Sequence, residues 1–508
     1  MPYYDPGVRR HLVGDSVGDV CRYGRFACRC GHFFYSNVCG ADVGCGAVLY
    51  VEDLVDRERT IMKRLVFLWL VCFVSVMNAQ TLHGSWKGEL NVGGVKLRLV
   101  LNVTSDGKCT LDSPDQGAKG IPAELEYASQ DSLSVVVKAV GARYDGKLKE
   151  GRIQGIFRQA GQAFPLVLQP GGVDLRRPQT PVPPFDYQTQ EVVFENKEHQ
   201  VKLGGTLTYP VGFDRSNGKS VPVVLMVTGS GLQNRDEEIL GHKPFAVLAD
   251  YFAKHGIASL RYDDRGVGKS KASAKDITTY TNYVDALSGV DFLKNMKCFG
   301  QIGVLGHSEG GTIALMLAAR NKKKVVFVIS MAGAALGGDS VLWEQNYVAL
   351  RMSGLSEMVA GDYCKTLKKV LHLMSEDNQG VSGQLEDILN EVELPAQLKE
   401  NLRLVQKTMT PWLDYFVRYN PAEDISGVKC PVMVINGSLD MQVLPSSNLA
   451  VFEKLLPKGK KTWIKEYPGL NHLFQHCVLG TVAEYGRIEE TLSEEVLRDV
   501  TEWVQGLQ

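Results

Sequence analysis

The sequence has no surplus of charge. Its 508 residues carry 56 Lys and Arg against 57 Asp and Glu, a formal net charge of -1 at pH 7. Without a basic excess it has little to hold a nucleic-acid backbone, and without an acidic tail it has no solvating segment. An apolar run at residues 65–77 is too short to span a bilayer. The cysteines lack metal spacing. Cys21, Cys28, Cys30, Cys39 and Cys45 contain no C-x-x-C pair, which makes a zinc site a weak reading. Cys109, Cys298, Cys364, Cys430 and Cys477 are odd in number and scattered, unlike a disulfide framework, with room for one bridge at most. What remains is an ordinary globular composition, 44% hydrophobic and 22% charged, in a chain long enough for two or three domains.

Met62-Lys63-Arg64, the apolar run and Asn78-Ala79-Gln80 together read as a secretory signal. Signals start chains, so Met62 is the expected start and residues 1–61 an over-extended leader, with 62–79 removed. A longer, unusual leader and a buried helix are the alternatives. Cys72 sits mid-run before Phe73, with no small residues ahead of it, so a lipid-anchor motif is rejected. The expectation is a secreted or periplasmic protein with no stable membrane anchor.

Residues 80–169 alternate in strand fashion, beginning with a hairpin whose turn is Gly93-Gly94. They predict a small antiparallel barrel or sandwich with no metal-spaced cluster and a structural or lid-like role. Residues 170–188, rich in proline, predict an extended, semi-rigid linker. From 189 to 508 a first hairpin is followed by buried apolar strands alternating with helices, the pattern of a mostly parallel sheet covered on both faces. About 334–428 there is helical periodicity without buried strands, which predicts a cap over the carboxyl ends of the strands.

The chain's organising stretch is Gly306-His307-Ser308-Glu309-Gly310, between an apolar strand at 302–305 and a helix expected over 312–319. A strand that reverses sharply into a helix strains its central residue and requires neighbours without side chains. Ser308 would stand at the tip as a nucleophile, with the helix N-terminus beneath it. An acid and then a histidine should follow in the chain. Asp440 comes after the strand ending Ile435-Asn436-Gly437, and His472 after Tyr467-Pro468-Gly469-Leu470-Asn471. His472 would act as base and Asp440 would fix its tautomer. His476 is the rival base, and Asn471 a candidate to hold the His472 loop. The oxyanion should meet the backbone N–H of Glu309 and one more from Ser230, Gly231 or Leu232 in Thr228-Gly229-Ser230-Gly231-Leu232. Asp263-Asp264-Arg265-Gly266-Val267-Gly268-Lys269-Ser270 invites a phosphate-loop reading, but Asp263 stands where that motif needs glycine.

With these motifs the chain from about residue 191 onward resembles the α/β-hydrolase superfamily. Thr-Gly-Ser-Gly-Leu-Gln-Asn-Arg-Asp-Glu, Gly-His-Ser-Glu-Gly-Gly and Gly-Leu-Asn-His-Leu-Phe-Gln are similar to bacterial carboxylesterases close to the serine aminopeptidase-like (S33) branch. The resemblance implies an α/β-hydrolase fold, a Ser308–Asp440–His472 triad and a structural turn at Asp263–Ser270 without a catalytic role. It implies hydrolysis of short to medium acyl esters through an acyl-enzyme, with a small-molecule ester as partner and no cofactor or metal. An aminopeptidase or amidase using the same triad is the alternative, with Asp236, Glu237 and Glu238 as an acidic patch for a substrate amine. A non-catalytic binding protein on this fold comes third. Nothing in the sequence sets an oligomeric state.

Overall fold

The computed structural model describes residues 82–507, except 94, 105, 130, 173–175, 217, 274, 377–380, 408 and 460–461. The expected leader at 1–61 with its five cysteines, the signal at 62–79 and Cys72 lie outside the described residues.

Eight antiparallel strands come first: β1 (Gly84–Val92), β2 (Val95–Val103), β3 (Cys109–Ser113), β4 (Ala118–Ala128), β5 (Ser132–Val137), β6 (Ala142–Lys149), β7 (Arg152–Gln159) and β8 (Gln162–Pro170). They close into a barrel because β1 pairs with β8 as well as with β2. Between barrel and sandwich, the structure is a barrel. Alternate side chains fill its interior, among them Trp86, Leu90, Leu101, Val135, Ile153 and Leu168. Eight strands leave about enough room for such a packed core. The buried Tyr144 hydroxyl lies within hydrogen-bond reach of the carbonyls of Ile153 and Leu166, which spares it an unpaired burial.

The barrel is tied to the domain that follows. Asp115, in the turn after β3, is buried and takes Arg98 at 2.6 Å and Arg487 at 3.3 Å. Arg98 Nη2 also donates to the Gly486 carbonyl at 2.7 Å. The proline-rich linker is laid down rather than free. Arg177 donates to the carbonyls of Ile488 and Leu240, and Gln179 pairs with the backbone of Leu492 in both directions.

The second sheet has the order β16-β15-β14-β13-β11-β12-β10-β9. Its strands are β9 (Thr189–Asn196), β10 (Val201–Thr208), β11 (Val223–Val227), β12 (Ala258–Tyr262), β13 (Ile302–His307), β14 (Phe327–Met331), β15 (Val432–Gly437) and β16 (Thr462–Tyr467). Only β9 and β10 run antiparallel to their neighbours. β11 shows why these strands read as continuous apolar runs. Val223, Leu225 and Val227 join one hydrophobic cluster, and Val224 and Met226 join another. Helices cover both faces: α1 (Pro244–Lys254), α2 (Thr279–Met296) and α3 (Glu309–Arg320) are the ones that bear on the site. The strand order reverses between β11 and β13, the place where such sheets open a crevice for ligands.

The cap lies between β14 and β15 and comprises α4 (Gly338–Met352), α5 (Glu357–Glu376), α6 (Val381–Glu391), α7 (Ala396–Lys407), α8 (Pro411–Arg418) and the short α9 (Ala422–Gly427). It has a core of its own, with Leu367, Val370, Leu385, Leu389, Leu402 and Val417 buried together. The amphipathic pattern over residues 489–504 predicts a C-terminal helix, which begins at Glu494. Its missing first turn is explained by Thr491 and Leu492, whose N–H groups are taken by Gln179 of the linker.

Candidate active site

The helix after β13 starts at Glu309, three residues earlier than its apolar pattern suggests, so Ser308 is its N-cap. Ser308 has φ 54 and ψ -122, a conformation that strains a non-glycine residue by about 1–3 kcal/mol. The two glycines make the turn possible. A Cβ on Gly306 would lie 1.9 Å from the Gly310 carbonyl oxygen, and one on Gly310 would lie 2.1 Å from that of Val227. Ser308 N–H donates to the Met331 carbonyl of the next strand at 2.8 Å, which fixes the tip to the sheet.

His472 and Asp440 come together although 32 residues separate them. His472 Nδ1 lies 2.7 Å from Asp440 Oδ2, and both side chains are buried. The other oxygen of Asp440 accepts the N–H groups of Gln442 (2.8 Å) and Val443 (2.9 Å), so the carboxylate is held at both ends. With a carboxylate at Nδ1, the imidazole proton belongs there and Nε2 is left to accept one. Asn471 does hold the loop: its Oδ1 accepts the N–H groups of Leu473 and Gln475. His476, the rival, is exposed and turned to Glu490 at 2.9 Å.

Two buried groups under the elbow escaped the sequence reading. His307 Nε2 lies 2.8 Å from the His472 carbonyl, and its Nδ1 lies 3.0 Å from Glu237 Oε1. Burial pushes the His307 pKa down, but the Glu237 charge and hydrogen bond, with the His472 carbonyl and Asp440, outweigh it and leave it above the ordinary value. Glu237 Oε1 also accepts the Gly229 N–H at 2.7 Å, while its Oε2 is buried with no partner among the described residues. One carboxylate thus joins the elbow to the oxyanion loop. Glu237 has a positive φ of 52, the cost of turning its side chain inward. Only an acid in a loop near small residues could have signalled it.

The Asp263–Ser270 turn does more than expected. Asp264 is buried and accepts Thr228 Oγ1 at 2.9 Å and Gln233 N–H at 2.9 Å, gripping the oxyanion loop at both ends. Asp263 pairs with Arg235, just beyond that loop, at 2.7 Å. The segment is a frame for the loop, not a phosphate site. Gly229 N–H belongs to Glu237 and Gln233 N–H to Asp264, leaving Ser230, Gly231 and Leu232 between them. A Cβ on Gly229 would meet Ser308 Cβ at 3.1 Å, so the loop runs against Ser308. Glu309, the first residue of α3, has an N–H with no partner inside its own helix.

The acidic patch is occupied. Asp236 pairs with Arg261 and Lys243, Glu238 lies 3.6 Å from Lys243 Nζ, and Glu237 is the buried partner of His307. Among the described residues no group of His, Cys, Asp and Glu is arranged to hold a metal ion, and no helix is long and apolar enough to cross a membrane. The five described cysteines are free thiols.

Comparison with known proteins finds hydrolases. Esterase EstD of Thermotoga maritima is 27% identical over 326 residues, 60% of this chain and 67% of the relative. Among solved structures, the Pyrococcus furiosus esterase Pf2001 aligns with a TM-score of 0.38 at 16% identity, over 66% of this chain and 98% of that one. The proline iminopeptidase of Mycobacterium smegmatis aligns with the same TM-score and identity, over 62% of this chain and 98% of that one. The family model of the X-Pro dipeptidyl-peptidases (S15 family) matches residues 199–472, from the approach to β10 as far as His472. That match covers more than half of the chain, which therefore belongs to the X-Pro dipeptidyl-peptidase (S15) family and is a serine hydrolase of the α/β-hydrolase fold.

Proposed function

We propose that this protein hydrolyses short to medium acyl esters through an acyl-enzyme at Ser308. The observation that carries the reading is the strained Ser308 elbow with the buried Asp440–His472 pair on the same edge of the sheet. His472 Nε2 takes the Ser308 hydroxyl proton as Oγ attacks the ester carbonyl carbon. The oxyanion meets the Glu309 N–H and one N–H from Ser230, Gly231 or Leu232, each such donor being worth about 10²–10³ in rate. His472 then gives its proton to the departing alcohol. Water repeats the sequence on the acyl-enzyme, and His472 and Asp440 return to their starting states. Apart from substrate and water, every step uses groups of the protein itself.

Amide or peptide cleavage by the same triad is the second reading, favoured by the description of the S15 family model. Against it, Asp236, Glu237 and Glu238 already have partners within the chain and are poorly placed to receive a substrate amine. A binding protein on a dead hydrolase fold is disfavoured, since a backbone strained at Ser308 serves no purpose in one. Kinship with the S33 branch, read from the Gly-His-Ser-Glu-Gly-Gly and Gly-Leu-Asn-His motifs, belongs to this proposal, as does export directed by the signal at 62–79.

Purified protein assayed on p-nitrophenyl esters of graded chain length and on aminoacyl and X-Pro amides tests the reading. Ester turnover well above amide turnover supports it. Amide turnover with no ester turnover overturns it.

A further inference from the structure

The side chain of Glu309 has no part in the proton transfers above, yet it is buried directly beside the nucleophile. An apolar residue would fit more cheaply among the buried side chains at the start of α3, because an unpaired carboxylate in such a place is heavily penalised. Glu309 is not unpaired. It accepts Thr279 Oγ1, at the start of α2, at 2.6 Å. It accepts Trp412 Nε1, on cap helix α8, at 2.9 and 3.0 Å to its two oxygens. Burial pushes the Glu309 pKa above the ordinary carboxylate value, by more than its hydrogen bonds lower it. An indole N–H can only donate, so the link to the cap depends on an acceptor at Glu309.

The contact continues beyond Trp412. Its ring stacks on Phe416 at 5.0 Å, and Phe416 packs in a small cluster with Ala334, Val341 and Val443. Val443 is one of the two residues whose N–H holds Asp440. On α4, Gln345 Nε2 donates to the Gln442 carbonyl at 2.7 Å, in the same acid loop. The cap therefore grips the catalytic machinery at the nucleophile and at the acid.

Resting on the serine esterase reading, we propose that Glu309 is a positioning residue whose carboxylate ties cap helix α8 and the start of α2 to the backbone amide that serves the oxyanion. An acyl group held under the cap then meets an oxyanion hole already formed, and loosening the tie degrades transition-state binding more than substrate binding.

Trp412→Phe keeps the ring stack and deletes only the N–H; Glu309→Gln keeps the shape and replaces one of the two acceptor oxygens that Trp412 reaches with a donor. Both, and the double variant, should be compared by kcat and KM on a p-nitrophenyl ester, per site titrated with a serine-directed phosphonate. Each single variant is expected to lose about tenfold or more in kcat, below the about 10²–10³ of a deleted oxyanion donor, with KM changed by less than about threefold. The double variant should be no slower than Glu309→Gln, because both changes cut the same link. Unchanged kcat per titrated site in Trp412→Phe and Glu309→Gln, with only a lower melting temperature, would reduce Glu309 to a structural residue and overturn the proposal, as would losses that multiply in the double variant. If Glu309→Gln does not fold, Trp412→Phe alone decides. A wild type that neither takes the phosphonate at Ser308 nor turns over an ester is a failure of the esterase reading itself, visible before any variant is made.

Discussion

The rings of His307 and His472 lie 4.7 Å apart, and the first holds the backbone carbonyl of the second at 2.8 Å. The residue before Ser308 thereby fixes the height of the His472 ring. His307 is anchored in turn by Glu237, so these two residues set one imidazole.

Glu237→Gln should expose that dependence. Removing one partner of a buried pair costs about 3–5 kcal/mol. The His307 pKa is raised in the folded state, so the stability it contributes is fully present below its ordinary value of 6.5 and is lost as pH rises through the folded value. Urea unfolding of wild type and Glu237→Gln should differ most at pH 6 or below and less at alkaline pH. A gap that widens with pH would contradict the assignment.

Asp264 gives a second signature in pH. Burial pushes its carboxyl up to about 7 from an ordinary 3.8. The folded state then holds a proton that the unfolded chain has released, so the stability linked to this group is present below the ordinary value and lost as pH rises toward about 7. Asp264→Asn should flatten the stability profile between pH 4.5 and 7.5. Because its amide cannot accept both loop donors as well, ester hydrolysis should also fall at every pH, which rate measurements across that window would check.

The elbow tolerates no side chain at Gly310. Gly310→Ala places a Cβ 2.1 Å from the Val227 carbonyl oxygen, a backbone clash that no rotamer relieves. The expected result is a loss of about 1–3 kcal/mol or more, as for other overpacked sites, with phosphonate labelling largely gone. Thermal melts and labelling on one preparation would show it. Full labelling at wild-type stability would contradict the turn geometry.

Much of this site is written in short stretches of sequence. Ser308 with its two glycines, Asp440 just past a buried strand and His472 just past the half-buried edge strand β16 are local patterns, and their order in the chain is enough to relate them. The rest depends on contacts between distant residues. Glu309 meets Trp412 across 103 positions and Asp264 meets Thr228 across 36, and nothing in either neighbourhood announces the partner. The five-residue strand β3 was too short for its alternation to stand out, and closure of the barrel rests on the pairing of β1 with β8 at opposite ends of the domain. Gly310 and Gly311 mask the first turn of α3, whose true start is set by the elbow rather than by its apolar residues.

The most direct test is the fate of Ser308 itself. Wild type treated with a serine-directed phosphonate should carry the adduct at Ser308 by peptide mass analysis and lose ester hydrolysis in proportion. Ser308→Ala should fold with an unchanged melting temperature, take no label and retain only residual turnover, because an acyl-enzyme needs that hydroxyl. A folded Ser308→Ala that hydrolyses esters at the wild-type rate, or an adduct that maps to another residue, would contradict the account at its centre.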